Sequence, residues 1–166
     1  MDESAHSISL PNQKNIARFF KSFDVAQIVI IRVNQSKFLV NSVLLVLHSS
    51  VFEELIYSGA EEIFVDNSLQ FPGSEDILYQ CLLYLHGDTM NMDLGTIYYF
   101  YHFASFYKIS SMQEQCEGAF MKLISSVETY IRCVAEWFSN EKGPMYQGLI
   151  TKNGREIIKL LTQSKF

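Results

Sequence analysis

The side chains of this sequence that could support catalysis or hold a metal are its cysteines and histidines. None of the three cysteines belongs to a CxxC or CxxH pair of the kind that binds zinc. The four histidines lie in unrelated segments, in no pattern that groups them as metal ligands. We therefore expect no metal, no cofactor and no catalytic residue. The cysteines and histidines considered are Cys81, Cys116, Cys133, His6, His48, His86 and His102.

The cysteines are predicted to be reduced core residues of an intracellular protein, because each lies in an apolar, helical stretch and three thiols cannot all pair. Glu114 and Glu117 flank Cys116 and raise the expected pKa of its thiol, the wrong direction for a nucleophile. We interpret His48, between buried and capping positions, as a core or boundary histidine. No nucleotide-binding loop, zinc-protease or serine-hydrolase motif occurs. An enzyme is therefore not expected.

Composition and charge argue against several classes of partner. The chain has 166 residues, 48% hydrophobic and 19% charged, which suits one globular domain. Its net charge of −5 argues against a phosphate-binding surface, so we expect no nucleic acid partner. We find no apolar signal-peptide segment at the start and no run of the ~20 apolar residues that span a membrane. We expect no membrane association, and a location in the cytoplasm, the nucleus or both.

The elements that would position these side chains begin after a disordered N-terminus, residues 1–11. Ile16, Phe19 and Phe20 fall on one face of a short helix predicted over residues 12–22. Such a helix is marginal alone, so this face must dock against another surface. A second subunit and the rest of the same chain are the two alternatives.

A β-hairpin and a capped helix are predicted next. Residues 25–33 are rich in β-branched side chains, residues 34–36 favour a turn, and residues 37–40 resume the strand pattern. Asn41 can cap the helix over residues 42–47, which is apolar on nearly every side and is expected to be fully buried.

The remaining pattern predicts one more strand and several helices. Capping boxes are expected to begin helices at three serines, and a stripe of five apolar residues marks a helix that stops at a glycine. The predicted features are boxes at Ser50–Glu53, Ser111–Glu114 and Ser125–Glu128, a strand over 62–66, the stripe Ile77, Leu78, Cys81, Leu82 and Leu85 before Gly87, a helix over 94–108 capped by Asp93, and a last helix over 156–161.

Seven aromatic residues crowd the ten positions 98–107. At ~3.6 residues per turn they cannot all face one side of a helix. Two interpretations remain: a helix that is buried on nearly all sides, or a partner surface that includes Tyr99, Tyr101 or Phe103.

Four ordered blocks of the chain resemble the BTB/POZ domain, a protein-interaction module. One of them aligns without a gap to the family pattern Phe-x-Ala-His-Lys-x-x-Leu-x-x-x-Ser-x-Tyr-Phe. The blocks are Phe23-Asp24-Val25 with the strand after it, residues 38–52, a leucine-rich helix over 77–88, and an apolar helix over 98–116.

The resemblance implies an α+β fold in which helices wrap a small, mostly three-stranded sheet. It assigns residues 12–120 to the BTB/POZ domain and residues 121–166 to the start of a helical extension similar to the BACK domain. It also implies a homodimer with an interface formed by Ile16, Phe19, Phe20 and Asp24. Asn41-Ser42 replaces the family's His-Lys pair, which alters the charged pocket that many transcription-factor members use for peptides.

The function that the resemblance implies is that of a non-catalytic, dimerising substrate adaptor for a cullin-based ubiquitin ligase. Tyr57, Ala60 and Glu62 would then face the cullin, with Ala60 and Glu62 in the place of the family's hydrophobic-x-Glu motif. Ala60 offers a partner little apolar area. The alternative is a dimerising transcriptional or structural scaffold that does not bind a cullin.

Overall fold

The computed structural model describes residues 5–7, 28–65, 75–124, 126–139, 149–150, 154–159 and 162–163. Its strands are β1 (Ala5–Ser7), β2 (Ile28–Val33), β3 (Ser36–Asn41) and β4 (Glu62–Phe64). Its helices are α1 (Ser42–His48), α2 (Ser50–Tyr57), α3 (Glu75–Leu85), α4 (Ile97–Phe106), α5 (Ser110–Leu123) and α6 (Val127–Ser139). Residues 154–159 are also helical. The predicted α+β class, with a small sheet beside several helices, is confirmed.

The four strands form one sheet in the order β1-β3-β2-β4. β2 and β3 make the predicted hairpin, and Asn34 in its turn has a φ of 51°, which asparagine adopts more readily than most residues. β4 is parallel to β2, and β1 is parallel to β3. The expected N-terminal disorder is therefore wrong for residues 5–7. Ala-His-Ser carries no strand pattern, and the edge of β3 supplies its hydrogen-bond partners.

Alternating side chains give the sheet a buried face and an open face. The buried face packs against the helices. On the open face, Ile28 is 62% exposed and Leu39 is 39% exposed. The buried set from the three central strands is Val29, Ile31, Val33, Phe38, Val40 and Ile63.

Asn41 caps α1 as predicted, because its side-chain oxygen accepts a hydrogen bond from the Val43 N–H at 2.9 Å. The expectation that this helix is fully buried is wrong. Leu44 and Leu45 are buried, but Leu47 is 69% exposed. An isolated apolar run does not reveal which side of a two-turn helix meets the core.

The cap of α2 is Ser49, not the predicted Ser50. The Ser49 hydroxyl accepts a hydrogen bond from the Phe52 N–H at 3.1 Å and donates one to the backbone carbonyl of Tyr107. Ser50 is exposed and forms the first residue of the helix. The sequence cannot distinguish two adjacent serines when the deciding contact lies 58 residues away.

The predicted stripe of α3 is confirmed, because all five of its residues are buried. Gly87, just beyond the helix, has a φ of 92°, a left-handed conformation that a glycine adopts without strain. Asp93 lies just before α4. Its carboxylate accepts hydrogen bonds from the Gly95 and Thr96 N–H groups, each at 2.8 Å.

The predicted capping box at Ser111 is wrong, and the one predicted at Ser125 falls on a residue outside the described part of the chain. α5 begins at Ser110, and the residue before it, Ile109, makes no side-chain cap hydrogen bond. Near α6, Ser126 accepts a hydrogen bond from the Thr129 N–H at 3.1 Å, whereas Ser125 lies outside the described residues.

The described C-terminal residues join the main hydrophobic core. Cys133 on α6 is 4% exposed, Leu149 is fully buried and Ile157 is 2% exposed. The helix predicted over residues 12–22 lies outside the described residues. No helix in the described part of the chain is long and apolar enough to span a membrane.

Candidate protein-binding surfaces

A groove lies between α2, β4 and the end of α4, and we name it the β4 groove. Its volume is about 290 Å³. Two phenylalanines at its rim stay accessible, Phe64 with 63% exposure and Phe106 with 41%. Exposed aromatic side chains beside an apolar groove are typical of protein-binding surfaces. The lining is Val51, Leu55, Ala60, Glu62, Ile63, Phe64, Phe106 and Tyr107.

Stacked aromatic rings support the β4 groove from inside. Phe52 and Tyr107 stack with their ring centroids 4.3 Å apart and an interplanar angle of 11°. Phe103 packs against Tyr107 at 4.7 Å. The Ser49 hydroxyl, which bonds the Tyr107 carbonyl, ties the start of α2 to the end of α4. The two helical walls of the groove are therefore held together by a buried hydrogen bond and by ring packing.

An ion pair occupies the charged side of the β4 groove. The Arg32 Nε donates to the Glu62 carboxylate at 2.7 Å, and the Arg32 guanidinium also lies 5.7 Å from the centre of the Phe64 ring. The side chains of Arg32 and Glu62 are 23% and 31% exposed. Because the pair is accessible, a partner can still approach the Glu62 carboxylate, but it would compete with Arg32.

The three residues expected to face a cullin have different surroundings. Tyr57 is 76% exposed on α2 and does not line the β4 groove. Ala60 is half-buried and lines the groove together with Leu55. Glu62 lines the groove in its ion pair with Arg32. The structure thus brings Ala60 and Glu62 to one surface, and Tyr57 is not part of its lining.

The aromatic helix α4 is buried on most sides. Phe103 has no exposed surface, so its assignment to a partner surface is wrong: it packs into the core beside Tyr107. Tyr99 and Tyr101 are half-buried and pack against the core. Phe106 is an exposed ring that the sequence pattern does not indicate. Because aromatic residues occur all around α4, their spacing does not show which side of the helix faces the core.

A second groove lies along the open face of the hairpin, and we name it the hairpin groove. It has a volume of about 540 Å³ and runs from the start of β2 to the loop between α2 and β4. The exposed side chains of Ile28 and Leu39 belong to it. The lining is Ile28, Val29, Ile30, Leu39, Ser42, Ile56, Gly59, Ala60 and Glu61.

The residues expected at a dimer interface, Ile16, Phe19, Phe20 and Asp24, lie outside the described residues. Ser42, which stands where the family has a cation, is buried and lines the hairpin groove.

The titratable side chains of the core favour their neutral forms. Burial raises the pKa of the Cys81 thiol, and burial with the nearby Glu117 raises the pKa of Cys116 to about 12. Burial lowers the pKa of His48 and of His86, whose Nδ1 lies 2.7 Å from the Leu82 carbonyl oxygen. Among the described residues no three His, Cys, Asp or Glu side chains are placed to hold a metal ion together.

Comparison with known families identifies most of this architecture. The family model of the BTB/POZ domain matches residues 21–123, which include β2 to β4 and α1 to α5. The comparison with curated proteins finds no match.

Proposed function

Because the chain belongs to the BTB/POZ domain family, we propose that it forms a homodimer and acts as a substrate adaptor for a cullin-based ubiquitin ligase. BTB domains are generally non-catalytic interaction modules, so a protein-binding function follows from the family itself. Our proposal goes beyond family membership in three respects: the adaptor role, the homodimer and a location in the cytoplasm or nucleus. We also propose that residues 121–166 begin a BACK-like extension; the family match ends at residue 123.

The β4 groove is the observation that supports the adaptor role. It combines an apolar lining, two exposed aromatic rings and one carboxylate on a single surface. Aromatic anchors with a nearby charge are typical of protein-binding hot spots. The positions that match the family's cullin motif, Ala60 and Glu62, lie at this surface.

Titration calorimetry with an isolated cullin N-terminal domain tests this role. We expect Glu62→Lys to raise the dissociation constant at least about tenfold, because the substitution removes the carboxylate proposed to contact the cullin and reverses its charge. Glu53→Lys makes the same charge change at an exposed position of α2 outside both grooves and should leave the affinity unchanged. Equal effects of the two variants would contradict a contact at Glu62.

A second variant separates a cullin contact from a structural role of the ion pair. Arg32→Gln removes the partner of Glu62 and leaves its carboxylate available. We expect this variant to bind the cullin domain at least as tightly as the unchanged chain. If Arg32→Gln and Glu62→Lys weaken binding equally, the ion pair supports the fold of β4 and Glu62 is not the contact.

The proposed homodimer rests on Ile16, Phe19, Phe20 and Asp24, as the family resemblance implies. A helix with one apolar face has to cover that face. Sedimentation equilibrium should show a dimer, and Phe19→Asp with Phe20→Asp should convert it to a monomer with nearly unchanged helix content. A variant that unfolds would contradict the interface assignment and favour docking within one chain.

The alternative function is a dimerising transcriptional or structural scaffold that does not bind a cullin. Two observations favour it: Ala60 presents only a methyl group, and Glu62 is already paired with Arg32. A dimer that shows no heat of binding with the cullin domain would support this alternative.

A further inference from the structure

Tyr57 is an exposed aromatic residue that lines neither of the two grooves. It is the last residue of α2, and its side chain is 76% exposed. The other tyrosines in the described part of the chain are all buried or half-buried. They are Tyr79, Tyr84, Tyr98, Tyr99, Tyr101, Tyr107 and Tyr130. Among the described residues, Tyr57 is therefore the one tyrosine whose phenol is open to an approaching protein.

The charged residues on both sides of Tyr57 are all acidic. Within residues 53–62 every charged side chain is a glutamate, and no residue is basic. Glu53 and Glu54, four and three positions before Tyr57, are exposed, and so is Glu61 after it. A protein with a cleft lined by cations is attracted to a segment of this charge.

The end of α2 can open without loss of core packing. Residues 57–61 include no buried side chain. Gly59, two positions after Tyr57, has a φ of 93°, and three backbone hydrogen bonds of 3.0–3.2 Å, donated by residues 58–60, close the turn. Local opening of such a helix end costs much less free energy than unfolding of the domain. An enzyme can therefore draw Tyr57 into its cleft while the rest of the fold stays intact.

We propose that Tyr57 is a phosphorylation site for a protein tyrosine kinase with a basic substrate cleft. The Tyr57 Oη attacks the γ-phosphorus of ATP, the bond from this phosphorus to the β,γ-bridging oxygen breaks, and ADP leaves. The phenolic proton passes to the catalytic base of the kinase. The product carries about two negative charges at the end of α2. Residues 53–62 supply no cation to pair with them, so an arginine-containing pocket of another protein can bind the phosphate.

Phosphorylation of the whole chain in vitro tests the site. The chain is incubated with magnesium, ATP and the catalytic domain of a tyrosine kinase that prefers acidic substrates, and mass spectrometry of its peptides follows each tyrosine. We expect Tyr57 to react at least about tenfold faster than the other described tyrosines, since those become accessible only after part of the fold opens. Tyr57→Phe should therefore remove the first phosphate incorporated. Tyr84→Phe, the matched control on α3, should leave the reaction at Tyr57 unchanged.

The glutamates give a measurement that separates recognition of this segment from exposure alone. Glu53→Gln with Glu54→Gln should lower kcat/KM for phosphorylation of Tyr57 at least about fivefold, because two charges that the basic cleft attracts are removed. Glu114→Gln with Glu128→Gln, the matched control, removes two charges from exposed positions on α5 and α6 and should leave kcat/KM unchanged. Equal effects of the two pairs would contradict recognition through the acidic segment.

Three results would overturn the site itself. Equal rates at Tyr57 and at the half-buried tyrosines would show that the kinase acts on the unfolded chain. Faster phosphorylation of any other tyrosine, including Tyr146, would assign the reaction to a different part of the chain. A synthetic peptide of residues 52–63 is the positive control for the kinase. If this peptide is phosphorylated and the folded chain is not, the end of α2 does not present Tyr57 to the enzyme.

Discussion

Ser49→Ala should destabilise the fold far more than Ser50→Ala, although the two residues are adjacent and chemically identical. The Ser49 hydroxyl caps α2 through the Phe52 N–H and also bonds the Tyr107 carbonyl at the end of α4. Ser50 is exposed at the first helical position. Only Ser49→Ala removes both the hydrogen bond that the hydroxyl accepts and the one that it donates.

The magnitude follows from the two lost hydrogen bonds. Loss of a serine cap reduces the free energy of unfolding by about 1 kcal/mol. The Tyr107 carbonyl is left without this donor in a buried position, which adds about 1–3 kcal/mol. We therefore expect Ser49→Ala to lose about 2–4 kcal/mol, with a fall in Tm of roughly 5–12 °C. Ser50→Ala should stay within about 0.5 kcal/mol.

Urea unfolding followed by circular dichroism measures both values on the same protein. The unfolding slope should be equal in the two variants, because both expose the same surface. A loss for Ser50→Ala that equals or exceeds that for Ser49→Ala would refute this assignment of the cap and of the link between α2 and α4.

Three further results are expected. Burial lowers the pKa of His86 and His48, so the unfolded chain takes up protons first as the pH falls. In urea titrations the free energy of unfolding should be nearly constant between about pH 7 and 8 and should decrease below about pH 6.5, with a smaller decrease for His86→Gln. Burial raises the pKa of Cys81 and Cys116, so Ellman's reagent at pH 8 should react slowly with the native chain and rapidly in guanidinium; fast native reaction would contradict their burial. Gly87→Ala should lose about 1 kcal/mol or more because its φ is 92°, whereas Gly118→Ala on the exposed side of α5 should gain about 0.5–1 kcal/mol; thermal melts that reverse this order would refute the glycine assignments.

Local patterns predicted much of the fold. The β-branched run and its turn predicted the hairpin of β2 and β3, and Asn41 was recognised as a cap because its role depends on a residue two positions away. The apolar stripe of α3 also predicts which side of that helix faces the core. These features need only short-range information, which one sequence contains.

Features set by distant contacts could not be predicted. The choice between Ser49 and Ser50 depends on the Tyr107 carbonyl, and the exposure of Leu47 depends on which side of α1 meets the core. Distant contacts also decide which side of α4 faces the core. The sequence pattern therefore predicts a surface position for the buried Phe103 and none for the exposed Phe106.

The candidate site was predicted in part. The family motif identified Ala60 and Glu62, which the fold places along one groove. The pairing of Glu62 with Arg32 was not predictable, because it follows from the parallel register of β4 on β2, in which Arg32 lies opposite Phe64. The aromatic stacking beneath the groove likewise joins Phe52 and Tyr107, which are 55 positions apart in the sequence.

Sedimentation equilibrium of the chain mixed with a cullin N-terminal domain is the most direct test of the proposed function. We predict one assembly of two chains and two cullin domains, which requires both the homodimer and the cullin contact. A dimer of the chain that sediments separately from the cullin domain would contradict the adaptor role, and a monomer that does so would contradict the dimerising module as well.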